Sequence, residues 1–273
     1  MRQLFICGDI HNRWDMLKIE LEEKNIRNAD IIHVGDCGFG FYPRRLMHEH
    51  LTKQNTYLQE RGIVLYNVRG NHDNPNWFLS PAKMLKFFRA EDKAQPTWKT
   101  EDLHYIYEYL SPQVYVDIIT SYTNLKFVQD YTVLELGGHK ILCIGGAISI
   151  DRMMRPEGRD YFKNEVLVYK PVVLKKLKGI DIVVTHTTPA FIPPLKQESS
   201  DLVLQFSKHD TKLLPELKEE RAIMSQIYED VTKNNNIDKW FYGHFHAPQN
   251  IHHGGVTGTQ FLCISPNKLY KLV

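Results

Sequence analysis

Five short polar clusters, each following an apolar, β-rich run, constrain this chain more than any other feature: Gly8-Asp9-Ile10-His11, Gly35-Asp36, Gly70-Asn71-His72-Asp73, His186 and Gly243-His244-Phe245-His246. Runs such as Leu4-Phe5-Ile6-Cys7 and Ile31-Ile32-His33-Val34 read as buried strands, so the cluster after each falls in the loop at the strand's carboxyl end. Open α/β sheets place their ligand sites along that edge. The clusters pool Asp9, His11, Asp36, Asn71, His186, His244 and His246. These carboxylate, amide and imidazole donors are enough to hold two divalent cations side by side. The expectation is a hydrolytic metal centre on an α/β fold.

The intervening segments agree with that edge. Trp14, Leu17 and Leu21 recur at helical spacing in a charged stretch ending near Asn25. A second helix is expected over 44–60, closed by Gly62 before a strand over 63–66. Strands alternating with helices imply parallel pairing through right-handed crossovers, which puts the first three clusters on one side of a sheet. Residues 74–125 break the rhythm with prolines, charges and the aromatics Trp77, Phe78, Phe87, Phe88, Trp98, Tyr105, Tyr107 and Tyr109. They read as an insertion or cap beside the active edge; ordinary packing of a small second layer explains the aromatics equally well. Beyond them come a hairpin over 131–144 turning at Gly137-Gly138 and a short helix that Pro171 opens and Gly179 ends. A strand over 180–185 then delivers His186. Polar, proline-bearing residues 189–211 read as a mobile loop, 212–233 as an amphipathic helix with Ile223, Ile227 and Val231 on its apolar face, and 239–242 as the last motif strand. The run 261–265 is expected to close a second sheet.

With 273 residues, 42% of them hydrophobic, the chain can bury a sizeable core as a single domain over 1–273. No apolar stretch approaches the roughly 20 residues of a membrane span, so neither a membrane partner nor a location other than the cytoplasm is expected. Cys7, Cys37, Cys143 and Cys263 lack C-x-x-C spacing and read as buried free thiols, in keeping with a reducing compartment. Cys37, directly after Asp36, fills a tight turn; a redox-sensitive thiol is the lesser alternative. A net charge of +2 carries no nucleic-acid signal, although a local basic patch stays open, as does the oligomeric state.

The chemistry follows from the donors. Asp9 and His11 offer a carboxylate and an imidazole from alternate positions, Asp36 has two oxygens with which to bridge two cations, and Asn71 adds a neutral carbonyl that leaves the cluster attractive to phosphate. Cations about 3.5–4 Å apart acidify a shared water and clamp both ends of an in-line displacement, the chemistry that phosphate ester hydrolysis needs. Asn12 and Arg13, near a helix start, are candidate phosphate contacts.

The ordered set of motifs, from Asp9 to His246, resembles the calcineurin-like metallophosphoesterase superfamily, whose pattern is GDxH, GD, GNH[DE], a strand-end H and GHxH. The resemblance implies an α/β fold of four layers, α/β/β/α, with two central mixed sheets. It also implies one metal on Asp9, His11, Asp36 and His246, and a second on Asp36, Asn71, His186 and His244. His72 resembles the family's non-ligand histidine, which stabilises the transition state and protonates the leaving oxygen, with Asp73 orienting it. Arg69 stands where the protein-phosphatase branch carries a phosphate-gripping arginine. That branch's GDxVDRG is replaced here by Gly35-Asp36-Cys37-Gly38-Phe39-Gly40, and Phe39 stands where purple acid phosphatases carry a ferric-binding tyrosine. Ser149-Ile150-Asp151-Arg152-Met153-Met154-Arg155, after Gly145-Gly146, is similar to the GGA-x-S-x-D segment of bacterial and phage members. Arg152, Arg155 and Arg159 are therefore expected to line a substrate channel or to be ordinary surface arginines. The implied activity is hydrolysis of a phosphomonoester or phosphodiester by a metal-bridging hydroxide, with two divalent ions, Mn²⁺ favoured over Fe or Zn. The alternatives are a nuclease with a basic, aromatic groove, and a binding scaffold like the retromer subunit that shares the fold.

Overall fold

Strands β1 (Gln3–Cys7), β2 (Ala29–His33) and β3 (Val64–Asn67) pair in parallel, with Phe5 opposite Ile31 and Ile31 opposite Leu65. The connections are α1 (Trp14–Glu23) and α2 (Arg44–Glu60). In this computed structural model residues 2–42, 44–94, 111–194, 197–255 and 258–272 are described. After β3 come α3 (Pro81–Ala94), α4 (Pro112–Ser121) and β4 (Leu125–Phe127), which extends the sheet beside β3.

The second sheet starts with the hairpin β5 (Thr132–Leu136) and β6 (His139–Ile144), continues in parallel through β7 (Ile182–Thr185) and β8 (Lys239–Tyr242), and ends in the antiparallel pair β9 (Gln249–His253) and β10 (Thr259–Cys263). Its strand order is β5-β6-β7-β8-β10-β9. Helices α5 (Pro171–Leu174), α6 (Gln197–Ser207) and α7 (Leu213–Thr232) belong to this half. The chain then returns to the first sheet, where β11 (Leu269–Lys271) runs antiparallel to β1.

Strands that are apolar on both faces need cover on both faces. In β1, Phe5 and Cys7 join Leu17 and Leu21 of α1 and Met47 and Leu51 of α2 in an outer core, while Leu4 and Ile6 join Ile182, Val184 and Phe241 of the second sheet in a central one. A third core packs Met224, Ile227 and Val231 of α7 against Leu142, Val183 and Trp240. Three cores separate four layers, α/β/β/α.

Where structure and sequence differ, the reasons are local. Trp77, Phe78, Phe88 and Tyr115 lie inside the outer core, so these four aromatics are packing residues and do not form a platform for bases. Trp98, Tyr105, Tyr107 and Tyr109 lie outside the described residues. The loop expected over 189–211 is corrected across Gln197–Ser207, which is helical: Pro189, Pro193 and Pro194 precede this segment instead of interrupting it. The run ending at Ser265 supplies an interior strand, β10, not the sheet's edge. The edge is β9, whose alternately covered Gln-Asn-Ile-His-His stretch carries a weak apolar signal.

Candidate metal centre

The clusters follow β1, β2, β3, β7 and β8, so the parallel strands of both sheets deliver them to one rim. The turns are tight: His11, Asp36, His244 and His246 all have left-handed backbones, with φ of 47°, 61°, 66° and 53°. Non-glycine residues rarely adopt this conformation, and it tends to persist where surrounding structure enforces it at a functional site. Two of the motif glycines are explained by close approach. A Cβ on Gly70 would stand 2.0 Å from Asp36 Oδ1, and one on Gly243 would stand 1.9 Å from Asp9 Oδ1.

The donor atoms converge in two groups that share Asp36. Asp9, His11, Asp36 and His246 each offer an atom within 4.8 Å of the others, as do Asp36, His186 and His244. In the first group His246 Nε2 lies 3.2 Å from Asp9 Oδ2 and 2.8 Å from His11 Nε2. In the second, His186 Nε2 lies 3.2 Å from Asp36 Oδ1 and 3.0 Å from Asn71 Oδ1. Neighbouring groups orient these atoms. His186 Nδ1 sits 2.9 Å from the Val34 carbonyl, so it carries the donated proton and Nε2 faces the site. The Asn71 amide nitrogen donates to Ser149 Oγ at 3.1 Å, which turns its oxygen inward.

Electrostatics fit a site that takes up cations. Burial favours a protonated Asp36, but His186 and the other nearby imidazoles hold its carboxyl well below the usual range. Burial also opposes a charged His186, yet Asp36 and Asp9 raise it to about 9, while burial and His186 push His244 down to about 3. Asp9 Oδ1 is buried with no hydrogen-bond partner among the described residues. Such an orphaned oxygen in a web of carboxylates and imidazoles matches a donor set in which cations replace protons.

A family model for calcineurin-like phosphoesterases matches residues 3–248. This chain belongs to that family. It is therefore a phosphoric ester hydrolase. Among solved structures, a dimetal phosphatase from Danio rerio is similar at 10% identity with a TM-score of 0.42, over 97% of this chain and 88% of that one. A cold-active protein-tyrosine phosphatase from a psychrophilic Shewanella is similar at 11% identity with a TM-score of 0.34, over 100% of this chain and 81% of that one. No curated protein matches.

Around the phosphoesterase centre, three of the expected residues have partners of their own. Arg69 is buried and its guanidinium is fully engaged: Nε and Nη2 donate to Asp130 Oδ2 at 3.0 and 2.8 Å, Nη1 to the Glu165 carbonyl at 2.6 Å and Nη2 to that of Val166 at 3.0 Å. It fastens the third motif loop to the second half of the chain. Asp73 accepts from four backbone N–H groups, those of Asp36, Gly38, Phe39 and Gly70, at 2.8–3.0 Å. Its two oxygens thus hold the metal loops in shape. The following turn is capped by Asn74, whose Oδ1 accepts the Asn76 N–H. Arg152 pairs with Asp210 at 2.6 Å and Glu216 at 2.5 Å beside a separate hollow of about 740 Å³.

Arg155 lies where a role was expected. Its guanidinium pairs with Asp151, donates to the Asp160 carbonyl at 3.0 Å and stands 3.5 Å from His72 Nδ1. Arg159 is exposed and pairs with Asp160. The Asn12 amide donates to the Tyr42 hydroxyl and Arg13 approaches Asp15 at 3.5 Å; neither lines the metal cleft. All four cysteines are free and buried, and burial pushes the Cys37 thiol well up, away from thiolate chemistry. Ser149, within the segment after Gly145-Gly146, and Glu165, which stands in no motif, support the site: Glu165 Oε1 accepts the Ser149 N–H at 2.7 Å.

Proposed function

We propose that the chain is a dinuclear metal-dependent phosphoesterase that transfers the phosphoryl group of a monoester or diester directly to water. The convergence of two donor groups on the shared carboxylate of Asp36 carries this reading. Asp9, His11, Asp36 and His246 would hold one cation and Asp36, Asn71, His186 and His244 the other, with Mn²⁺ favoured over Fe or Zn for this oxygen and nitrogen set. When bound, the cations supply Lewis acidity, drawing charge from the phosphoryl oxygens and acidifying water.

The chain's own residues account for the remaining steps. The cleft lining, among the described residues, has no serine, threonine or cysteine to form a phosphoenzyme, which supports water as the nucleophile. His72 lines the cleft, where its imidazolium form would protonate the departing ester oxygen and be left as neutral imidazole. Arg155, whose guanidinium stands 3.5 Å from His72 Nδ1, adds positive charge on that side of the ring. The four buried free thiols support a reducing, cytoplasmic setting.

The test is hydrolysis by Mn²⁺-reconstituted protein of p-nitrophenyl phosphate, bis-p-nitrophenyl phosphate, nucleotides and oligonucleotides; failure on every ester overturns the reading. His72→Ala should keep both cations and lower kcat about 10²- to 10⁴-fold. Loss of the cations in that variant would show that His72 is a ligand.

A further inference from the structure

Resting on the phosphoesterase reading, we propose that the ester this enzyme cleaves carries an apolar chain or ring, held by a wall that α6 and α7 add to the metal cleft. A single cleft of about 930 Å³ has His11, Asp36, Asn71, His72, His244 and His246 among its polar lining and Leu202, Phe206, Leu214, Leu217 and Phe245 among its apolar lining. That volume is ample for a small organic group beyond the phosphate.

Apart from Phe245, which packs against the third core, these apolar residues lie outside the packing of the fold. None of the described residues of α6 belongs to the three cores, and α7 contributes Met224, Ile227 and Val231 to its core while Leu214 stays outside it. Leu202 and Leu214 keep 47% and 43% of their surface exposed. Exposed leucines gathered at the mouth of a polar site mark a surface that gains by covering. Because they share one cavity with the metal ligands, the occupant the geometry favours is the substrate's own organic group.

Charge among the described lining residues favours an occupant with a single phosphate. Arg221, which also lines the cleft, donates to the carbonyls of Thr188 at 2.8 Å and of Pro189 at 2.7 Å and to that of Ile192, and it lies over the Phe245 ring at 5.4 Å. Asp151 is paired with Arg155, and Glu220 is buried. Among the described lining residues Arg221 is the one lysine or arginine, and its Nε and Nη2 are held by these carbonyls, which favours a single phosphate at the metal end over a polyphosphate or a nucleic-acid backbone.

The test is calorimetric binding of ethyl-, butyl- and octylphosphonate to the Mn²⁺-loaded protein; these probes share one head group and are not hydrolysed. Kd should fall up to about fourfold for each added methylene that is buried, and octylphosphonate should bind more tightly than adenosine monophosphate. Leu202→Asp and Leu214→Asp should each flatten the series while the cation stoichiometry stays at two. A flat wild-type series, tighter nucleotide binding, or a slope unchanged in both variants overturns the proposal. A sloping series in a protein that hydrolyses no ester would leave the wall standing and remove the hydrolase reading; turnover with a flat series would do the reverse.

Discussion

The two halves of the metal centre are built differently. On one side His186 and Asn71 are buried, and each has its other polar atom tied down, His186 by the Val34 carbonyl and Asn71 by Ser149. On the other, the His11 and His246 side chains are 29% and 46% exposed, and their Nε2 atoms face each other at 2.8 Å. Preorganised ligands lose less entropy on binding, so the buried half should take the first cation and the open half the second. The price of that order is a scaffold of buried polar groups, Arg69, Asp73 and Glu165 among them, that the open half does without.

The sharpest way to break this comparison is to remove what the halves share. Asp36→Asn should abolish binding of both cations and all turnover, read by titration calorimetry and metal analysis; retention of one tight cation would show that the halves are independent. Next in size is the scaffold of the buried half. Arg69→Ala strands the Asp130 carboxylate and frees two carbonyls, and should cost roughly 3–5 kcal/mol in denaturant unfolding. Unchanged stability with weakened phosphate binding would restore Arg69 to the substrate.

Glu165 sharpens the same point through pH. Burial pushes its carboxyl up to about 7 from an ordinary 4.5, so the folded state holds the proton more tightly than the unfolded one. Its contribution to stability is fully present below about pH 4.5 and is lost as pH rises through about 7. Glu165→Gln should remove that loss. The stability of the variant relative to wild type should increase from about pH 5 to pH 8, by about 3 kcal/mol at most, and a constant difference would refute the assignment. The smallest effect belongs to the open half: His246→Ala should lower cation stoichiometry from two to one while changing stability by no more than about 0.5 kcal/mol.

Much of the centre was legible in the sequence because a ligand's placement is a local matter. An Asp-x-His or a strand-end histidine needs only its own strand to bring it to the rim, and the β-rich runs before Asp9, Asp36, Asn71, His186 and His244 announced those strands. The layers were legible for the same reason, since strands apolar on both faces demand cover on both. Helix α6 was obscured by the prolines before it and by apolar residues that serve no core.

The motifs by themselves thus determined the α/β architecture and the reaction class, and they pointed to the donor set proposed here. Only the tertiary structure decided what Arg69, Asp73 and Arg155 do. Their chemistry depends on partners that other parts of the chain bring near: Asp130, Glu165 and Val166 for Arg69, the backbone of residues 36–39 for Asp73, and His72 for Arg155. A charged side chain inside a protein acts on whatever the fold has placed within hydrogen-bonding reach, and that list is not written at its own position in the sequence.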